Sequence, residues 1–290
     1  HREQTKGGTL KRGCRFYDRP CSQTRSFGRK TMPDVTELSV DEVLAISDPG
    51  EKNRDQHGPL DRLMINVGNV VAWAFPLLMV AIVAQVILRG AGYNQAWLDD
   101  AQWWIYGVAM LTAFGYAITT SSHVRVDIFH QHFSDSKKAR IEALALGWLL
   151  IPFLILMTDV MLHYAWQSIK SDEGSSSPNG LHNLWILKTV LPILFILAGL
   201  AAYAVFKRNL AVFKDVTLRN QLLWAFPSAV FLGWRLLHYA AYWIVYLTNT
   251  DIYARRITKE PVFEWLMTVS FWGILAAILV LTLLNRRKGV

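Results

Sequence analysis

Residues 142–168 read EALALGWLLIPFLILMTDVMLHYAWQS, a run of 27 residues whose only formal charges are Glu142 at its start and Asp159 inside it. About 20 helical residues cross a hydrocarbon layer of ~30 Å, so a stretch this long and this apolar is a candidate membrane span. Working outward, five more segments have the same texture: approximately 63–88, 101–121, 186–206, 221–247 and 265–284. The fifth in chain order, 221–247, is the least uniform because Arg235 and His238 interrupt it. The fold class expected is an all-α membrane protein of about six transmembrane helices.

Composition agrees. The chain has 290 residues, 52% of them hydrophobic, with twelve tryptophans. A soluble domain of this size needs more polar surface. The net charge of +8 would suit a nucleic-acid binder, but the cations sit in blocks between apolar segments, which is how membrane proteins record orientation. Nucleic acid is therefore not an expected partner; membrane lipid is.

Orientation follows from those blocks. Arg125, Lys137, Lys138 and Arg140 lie between the second and third segments, and Lys207, Arg208, Lys214 and Arg219 between the fourth and fifth. Arg286, Arg287 and Lys288 follow the sixth, whereas Asp99, Asp100, Asp172, Glu173 and Glu264 accompany the opposite loops. The positive-inside rule then predicts that both termini are cytoplasmic. Trp97, Trp103, Trp166 and Trp243 fall at the predicted outer interface, Trp148 and Trp224 at the inner one, as indole rings prefer.

Before the first span, residues 1–31 are expected to be a disordered basic leader, native or not, and 32–62 a cytoplasmic N-terminal segment with one short amphipathic helix over 37–47. No apolar run of signal length occurs there, so insertion is expected to start with the first span. The two cysteines, Cys14 and Cys21, are not spaced as a C-x-x-C pair and read as incidental thiols. After the second span, Ser134, Asp135 and Ser136 are N-cap candidates for a short interfacial helix carrying Lys137, Lys138 and Arg140.

The search for chemistry is largely negative. There is no phosphate-binding G-x-x-x-x-G-K-[ST] loop, no H-E-x-x-H and no G-x-S-x-G, so no catalytic, metal or cofactor residue is assigned and the chain is not read as an enzyme. His163 and His238 were the test for haem: counted from Glu142 and Gln221 they lie about 21 and 17 residues in, a depth gap of about 6 Å. Hydrogen bonding between helices is the plainer reading of each. Asp159 and Arg235 are more informative, because ionisable groups inside spans are costly and are usually paired. Their helices cross in the same direction, and at about 17 and 14 residues in, their depths differ by about 5 Å. A buried pair clamping the third span to the fifth is expected; contacts of each with a partner subunit, or an ion-transport role for Asp159, are the rivals.

Between the second and third spans stands His123-Val124-Arg125-Val126-Asp127, on spacing alone either a short turn held by Arg125 and Asp127 or an ordinary positive loop. At these residues the chain resembles the small, Q-type membrane subunit of tripartite ATP-independent periplasmic (TRAP) transporters. That family shows a His-[Val/Ile]-Arg-Val-Asp stretch after its second helix, an Arg ending the first helix, and a Trp with acidic residues before the second; Arg89 and Trp97-Leu98-Asp99-Asp100 look like the latter two. Glu173-Gly174-Ser175, followed by a Trp, a Lys and Leu191-Pro192, also looks like its pattern. The resemblance covers about 60–210, which divides the membrane part into a four-helix Q-type domain over 63–210 and an additional two-helix hairpin over 211–290. Members often have four spans, and Asp-Asp replaces the commoner Glu-Glu before the second helix.

The resemblance implies a non-catalytic subunit in a bacterial inner membrane, within a secondary, sodium-coupled transporter that imports an organic acid. Its implied partners are a large permease subunit, which it scaffolds, and a periplasmic solute-binding protein, which it helps to dock. His123, Arg125, Asp127, Arg89, Trp97, Asp99, Asp100 and Glu173 would then be structural or subunit-contact residues, along with Asp159 and Arg235. A redox anchor with haem b and a self-sufficient secondary carrier stand as alternatives; the second predicts interrupted helices at a central site, and none is evident in the sequence.

Overall fold

The first described helix starts where the sequence changes texture, and prolines decide where the helices bend. The computed structural model describes residues 57–122, 133–248 and 254–287. All of them fall in one of the two units into which the chain divides, Ala45–Val290. Helix α1 (Pro59–Ala72) opens with Pro59, which fits a first turn because its missing N–H would have had no partner there. Asp61 accepts the backbone N–H of Gly58 at 3.0 Å. The rod then breaks at Trp73 and resumes as α2 (Ala74–Gly90). Pro76 explains the break: it donates nothing to Ala72, and its ring crowds that carbonyl.

After a turn with Gly92 at φ 89° comes α3 (Ala96–Thr120), closed by Ser121 in the left-handed region at φ 55°. Helix α4 (Asp135–Ala145) follows, then a π turn (Leu146–Leu150) and α5 (Ile151–Lys170). The remaining elements are α6 (Trp185–Phe213), α7 (Leu218–Trp224), α8 (Phe226–Thr248), the single turn α9 (Ala254–Ile257) and α10 (Val262–Arg287). No strand occurs among the described residues.

Two expectations need correction. The interfacial helix after the second span is not a separate element: α4 runs through the π turn into α5, so Asp135–Lys170 is one 36-residue rod. Nothing at Ala145–Leu146 stops the helix, and Ala143 on α4 is buried against Phe206 and Leu210 of α6. Ser134 has the backbone of an N-cap, but its side chain makes no capping bond. The fifth span is broken at Ala225 instead of running evenly through 221–247, because Pro227 removes the donor to Leu223. Among the described residues, four stretches are long and apolar enough to cross a membrane by length and composition: Pro59–Gly90, Asp135–Lys170, Trp185–Phe213 and Val262–Asn285. Helices α3 and α8, of 25 and 23 residues, are long enough to cross as well. The amphipathic helix expected over 37–47, the leader 1–31 and the thiols Cys14 and Cys21 lie outside the described residues.

Helix α6 is the hub. Its Ala198, Ala201 and Ala202 are at most 1% exposed, and such small side chains let neighbouring backbones approach closely. Ile118 of α3 and Leu154 of α5 complete that core with Val205. Helices α8 and α10 form a second packed pair, in which Phe263 and Leu266, with Ile257 of α9, bury against Trp234, Tyr242 and Val245. Large apolar residues cover the outside, among them Val70, Leu149 and Leu247, each exposed by more than 70%. Water would not tolerate so continuous an apolar coat; lipid does. The protein is all-α and largely membrane-embedded, with several apolar helices.

The π turn joins the two packed groups. Ile151 donates its N–H to Leu146, five residues back, so the Gly147 carbonyl would next look to residue 152. That residue is proline. The hydroxyl of Ser228 on α8 donates to the orphaned Gly147 carbonyl instead. Trp148 Nε1 donates to the Trp224 carbonyl at 3.1 Å, satisfying the end of α7 in return. Gly147 must be glycine here: a Cβ would fall 2.9 Å from the Trp224 oxygen and 3.1 Å from Ala225 Cα.

Gly147→Ala is therefore expected to destabilise the protein by about 1–3 kcal/mol through overpacking. Ser228→Ala should cost about 1–3 kcal/mol by leaving a buried carbonyl unpaired. Because both act at one junction, the double variant should lose less than the sum. Thermal unfolding in detergent micelles checks all three.

Candidate functional site

The polar residues of the described bundle gather in three groups, one between α5 and α8 and one toward each end. In the first, Arg235 Nη2 donates to Asp159 Oδ1, and the two side chains are only 13% and 14% exposed. Tyr239, one turn along α8 from Arg235, donates its hydroxyl to the same Asp159 oxygen at 2.7 Å. His163, one turn along α5 from Asp159, stands with Nε2 3.9 Å from that oxygen and 3.5 Å from the Tyr239 hydroxyl. The imidazole stacks on the Tyr239 ring at 6.0 Å between centroids. Arg235 also lies over the rings of Trp234 and Tyr239, at 5.2 and 5.4 Å. His238 instead meets Phe263 edge-on at 4.8 Å, so the two histidines engage different neighbours.

A second group forms where α2 and α3 meet. Arg89 Nη2 lies 3.1 Å from Asp99 Oδ2, and Gln85 donates to the other Asp99 oxygen. Gln102 in turn donates to Gln85 Oε1 and to the Ala81 carbonyl, the latter at 3.2 Å. Trp97 Nε1 bonds Gln95 Oε1 at 2.8 Å. Asp100 points the other way and accepts the Leu181 N–H at 2.9 Å, tying the 171–184 loop to the start of α3. Within that loop Glu173 meets the Lys188 ammonium at 2.5 Å, and Lys188 lies over the Tyr164 ring at 4.1 Å. The Lys188 hydrogen bond holds the Glu173 carboxyl below the usual carboxylate range.

The third group closes the other end. Arg208 of α6 donates to the carbonyl of Thr119, near the end of α3, at 3.1 Å. Its Nη1 lies 3.8 Å from Asp61 Oδ1, whose residue is 3% exposed. One guanidinium thus ties the start of α1 to the end of α3. His57 is buried beside them, and burial together with the Arg208 charge pushes its imidazole below its ordinary pKa.

Of the residues singled out in the sequence, Arg89 with Asp99, and Asp159 with Arg235, are brought together; Trp97, Asp100 and Glu173 sit in the second group with partners of their own. His123, Arg125 and Asp127 lie outside the described residues. Sequence reasoning missed Gln85, Gln102, Asp61 and Tyr239, and read Arg208 only as an orientation marker. Gln85 carried a usable signal, being an amide inside the apolar run 74–88. Among the described residues, no group of three or more His, Cys, Asp or Glu side chains could hold a metal ion.

Residues 78–212 match the family model for the DctQ component of tripartite ATP-independent periplasmic transporters. No curated protein and no solved structure matches the chain. The matched stretch runs from within α2 to within α6 and stops short of α7, α8 and α10. Over that stretch the chain is similar to the DctQ component, the small membrane subunit of TRAP transporters, and its apolar helices are those of a multi-span membrane protein. Proteins of this family generally partner with a large TRAP permease and a periplasmic binding protein.

The lowered carboxyl of Glu173 sets a pH dependence. A depressed acid contributes stability that is fully present above its unfolded value, 4.5, and is lost as pH falls through its folded value. Thermal midpoints measured from pH 6 down to pH 3 should therefore fall more steeply in the wild type than in Glu173→Gln, which lacks the titrating group. Equal slopes would show that the Lys188 contact contributes nothing.

Proposed function

We propose that the chain is the small permease subunit of a sodium-coupled TRAP transporter that imports an organic acid, with the ion and solute sites in the large permease. It scaffolds that permease and helps dock the periplasmic binding protein. In this reading all six long helices span the membrane, α3 and α8 included, and both termini are cytoplasmic. The carrying observation is that the carboxylates Asp61, Asp99 and Asp159 each face a cation already on this chain. A carrier needs carboxylates or broken backbone open to a passing ion. These are committed to holding helices together, which suits a scaffold.

The same pairs support structural roles for the residues named above. Arg89, Trp97, Asp99, Asp100 and Glu173 brace the periplasmic end, where a binding protein would arrive. Asp159 and Arg235 latch the extra hairpin, residues 211–290, onto the four-helix domain over 63–210. His123, Arg125 and Asp127 would brace the cytoplasmic turn. Polar bonds suit a latch between membrane helices, because lipid supplies no hydrophobic drive for two apolar helices to associate.

Removing one partner, as in Arg235→Leu, should cost about 3–5 kcal/mol by leaving Asp159 charged, buried and unpaired. Asp159→Arg combined with Arg235→Asp should restore assembly with the large permease above the level of either single variant. A double variant no better than the singles would refute the latch. Topology is checked separately in a Cys14→Ser, Cys21→Ser background. A membrane-impermeant thiol reagent should label Ser176→Cys in intact spheroplasts and spare His130→Cys until the membrane is opened; the reverse pattern would overturn the orientation.

A further inference from the structure

The least covered of the long apolar stretches is Pro59–Gly90, with 6% of its most apolar window buried inside the chain. Along its outward side Arg62, Asn66, Asn69 and Trp73 recur at i, i+4, i+7 and i+11, the spacing of one helix face, and all four are exposed. On α2, beyond the break at Trp73, lies a shallow apolar groove of about 350 Å³, lined by Met79, Val80, Val83, Ala84 and Ile87. Among the described residues, the side chains of Arg62, Asn66 and Asn69 have neither a hydrogen-bond nor an ion-pair partner. The contrast with Gln85 is informative: that amide, on the same rod, is 7% exposed and bonded to Asp99 and Gln102.

Depth makes the unpaired amides consequential. With Arg62 at the cytoplasmic interface, Asn66 and Asn69 lie about 6 and 10 Å farther in at 1.5 Å per residue. Hydrocarbon offers neither amide a partner, and such groups in spans are met by side chains of other helices. A protein helix supplies such partners where lipid does not. A second copy of this chain is disfavoured by charge, because a parallel two-fold pairing through this face would set Arg62 against Arg62. A different helix, carrying hydrogen-bonding side chains at two levels and an acidic side chain at the cytoplasmic edge, meets every requirement.

We infer that the Arg62–Asn66–Asn69 face of α1, with the Met79–Ile87 groove of α2 below it, is the docking site for a transmembrane helix of the large permease subunit. The inference rests on the TRAP-subunit reading and assigns that contact to one face of the chain. The groove takes the apolar part of the incoming helix; the amides fix its register, and Arg62 fixes its direction.

The test uses the full chain co-expressed with the large permease of its system. Asn66→Leu with Asn69→Leu should leave the isolated chain folded, its thermal midpoint unchanged or raised because leucine suits lipid better. The same double variant should lower the permease retained through affinity purification at least tenfold. A benzophenone side chain in place of Asn69 should form an adduct with the permease on irradiation. Retention within twofold of wild type, or adducts only with lipid or with a second copy of the chain, would overturn the docking face while leaving the subunit reading intact. Failure of the unmodified chain to retain the permease would instead overturn the subunit reading itself.

Discussion

Hydrocarbon has no hydrogen bonds to give, and that constraint organises this molecule more than any apolar contact does. Every polar group carried into the bilayer must find its partner in protein. Arg235 and Tyr239 both donate to Asp159 across α5 and α8. Gln85, Gln102 and Asp99 do so across α2 and α3. Even the backbone obeys: Pro152 orphans the Gly147 carbonyl, and Ser228 supplies a hydroxyl from another helix. Each of these pairs joins helices that lipid gives no reason to associate, so the need for satisfaction also determines which helices are neighbours.

Much of this was legible in order along the chain, and its failures have a common form. Apolar runs located the long helices because burial in lipid is a local property of composition. The depth match of Asp159 and Arg235 was legible because rise per residue is fixed, so counting from the span ends sufficed. Prolines 76, 152 and 227 were also visible, but their consequences were not. Whether a helix kinks, widens into a π turn or breaks depends on who relieves the freed carbonyl, and Ser228 lies 81 residues from Gly147. For the same reason α4 was expected to stand apart from α5. Its charged residues suggested an interfacial piece, but Ala143 packing against α6 carries the helix straight on.

The polar groups divide along the same line. Arg89 and Asp99 are close in sequence and were recognised through their resemblance to a family pattern. Asp61 and Arg208 are remote, and nothing local marks Arg208 as more than a cytoplasmic cation. A cation at a helix end serves two purposes at once: it records orientation during insertion and is then available to bind a carboxylate or a carbonyl. Sequence reveals the first purpose and conceals the second.

The region after the family match, α7 to α10, is held to the rest of the bundle by polar contacts. An added hairpin cannot be driven onto the bundle by the hydrophobic effect, since its apolar faces are equally content in lipid. It needs points of definite geometry. The structure supplies two, the Asp159–Arg235–Tyr239 cluster and the Ser228–Gly147 bond at the π turn. They lie 12 residues apart on α5 and its π turn, from Gly147 to Asp159, about 18 Å along the rod. Two separated points fix both register and crossing angle, whereas one would leave the hairpin free to pivot. The partners Gly147 and Asp159 both lie within the matched stretch, so the attachment uses polar positions inside that stretch, and the π turn doubles as a socket.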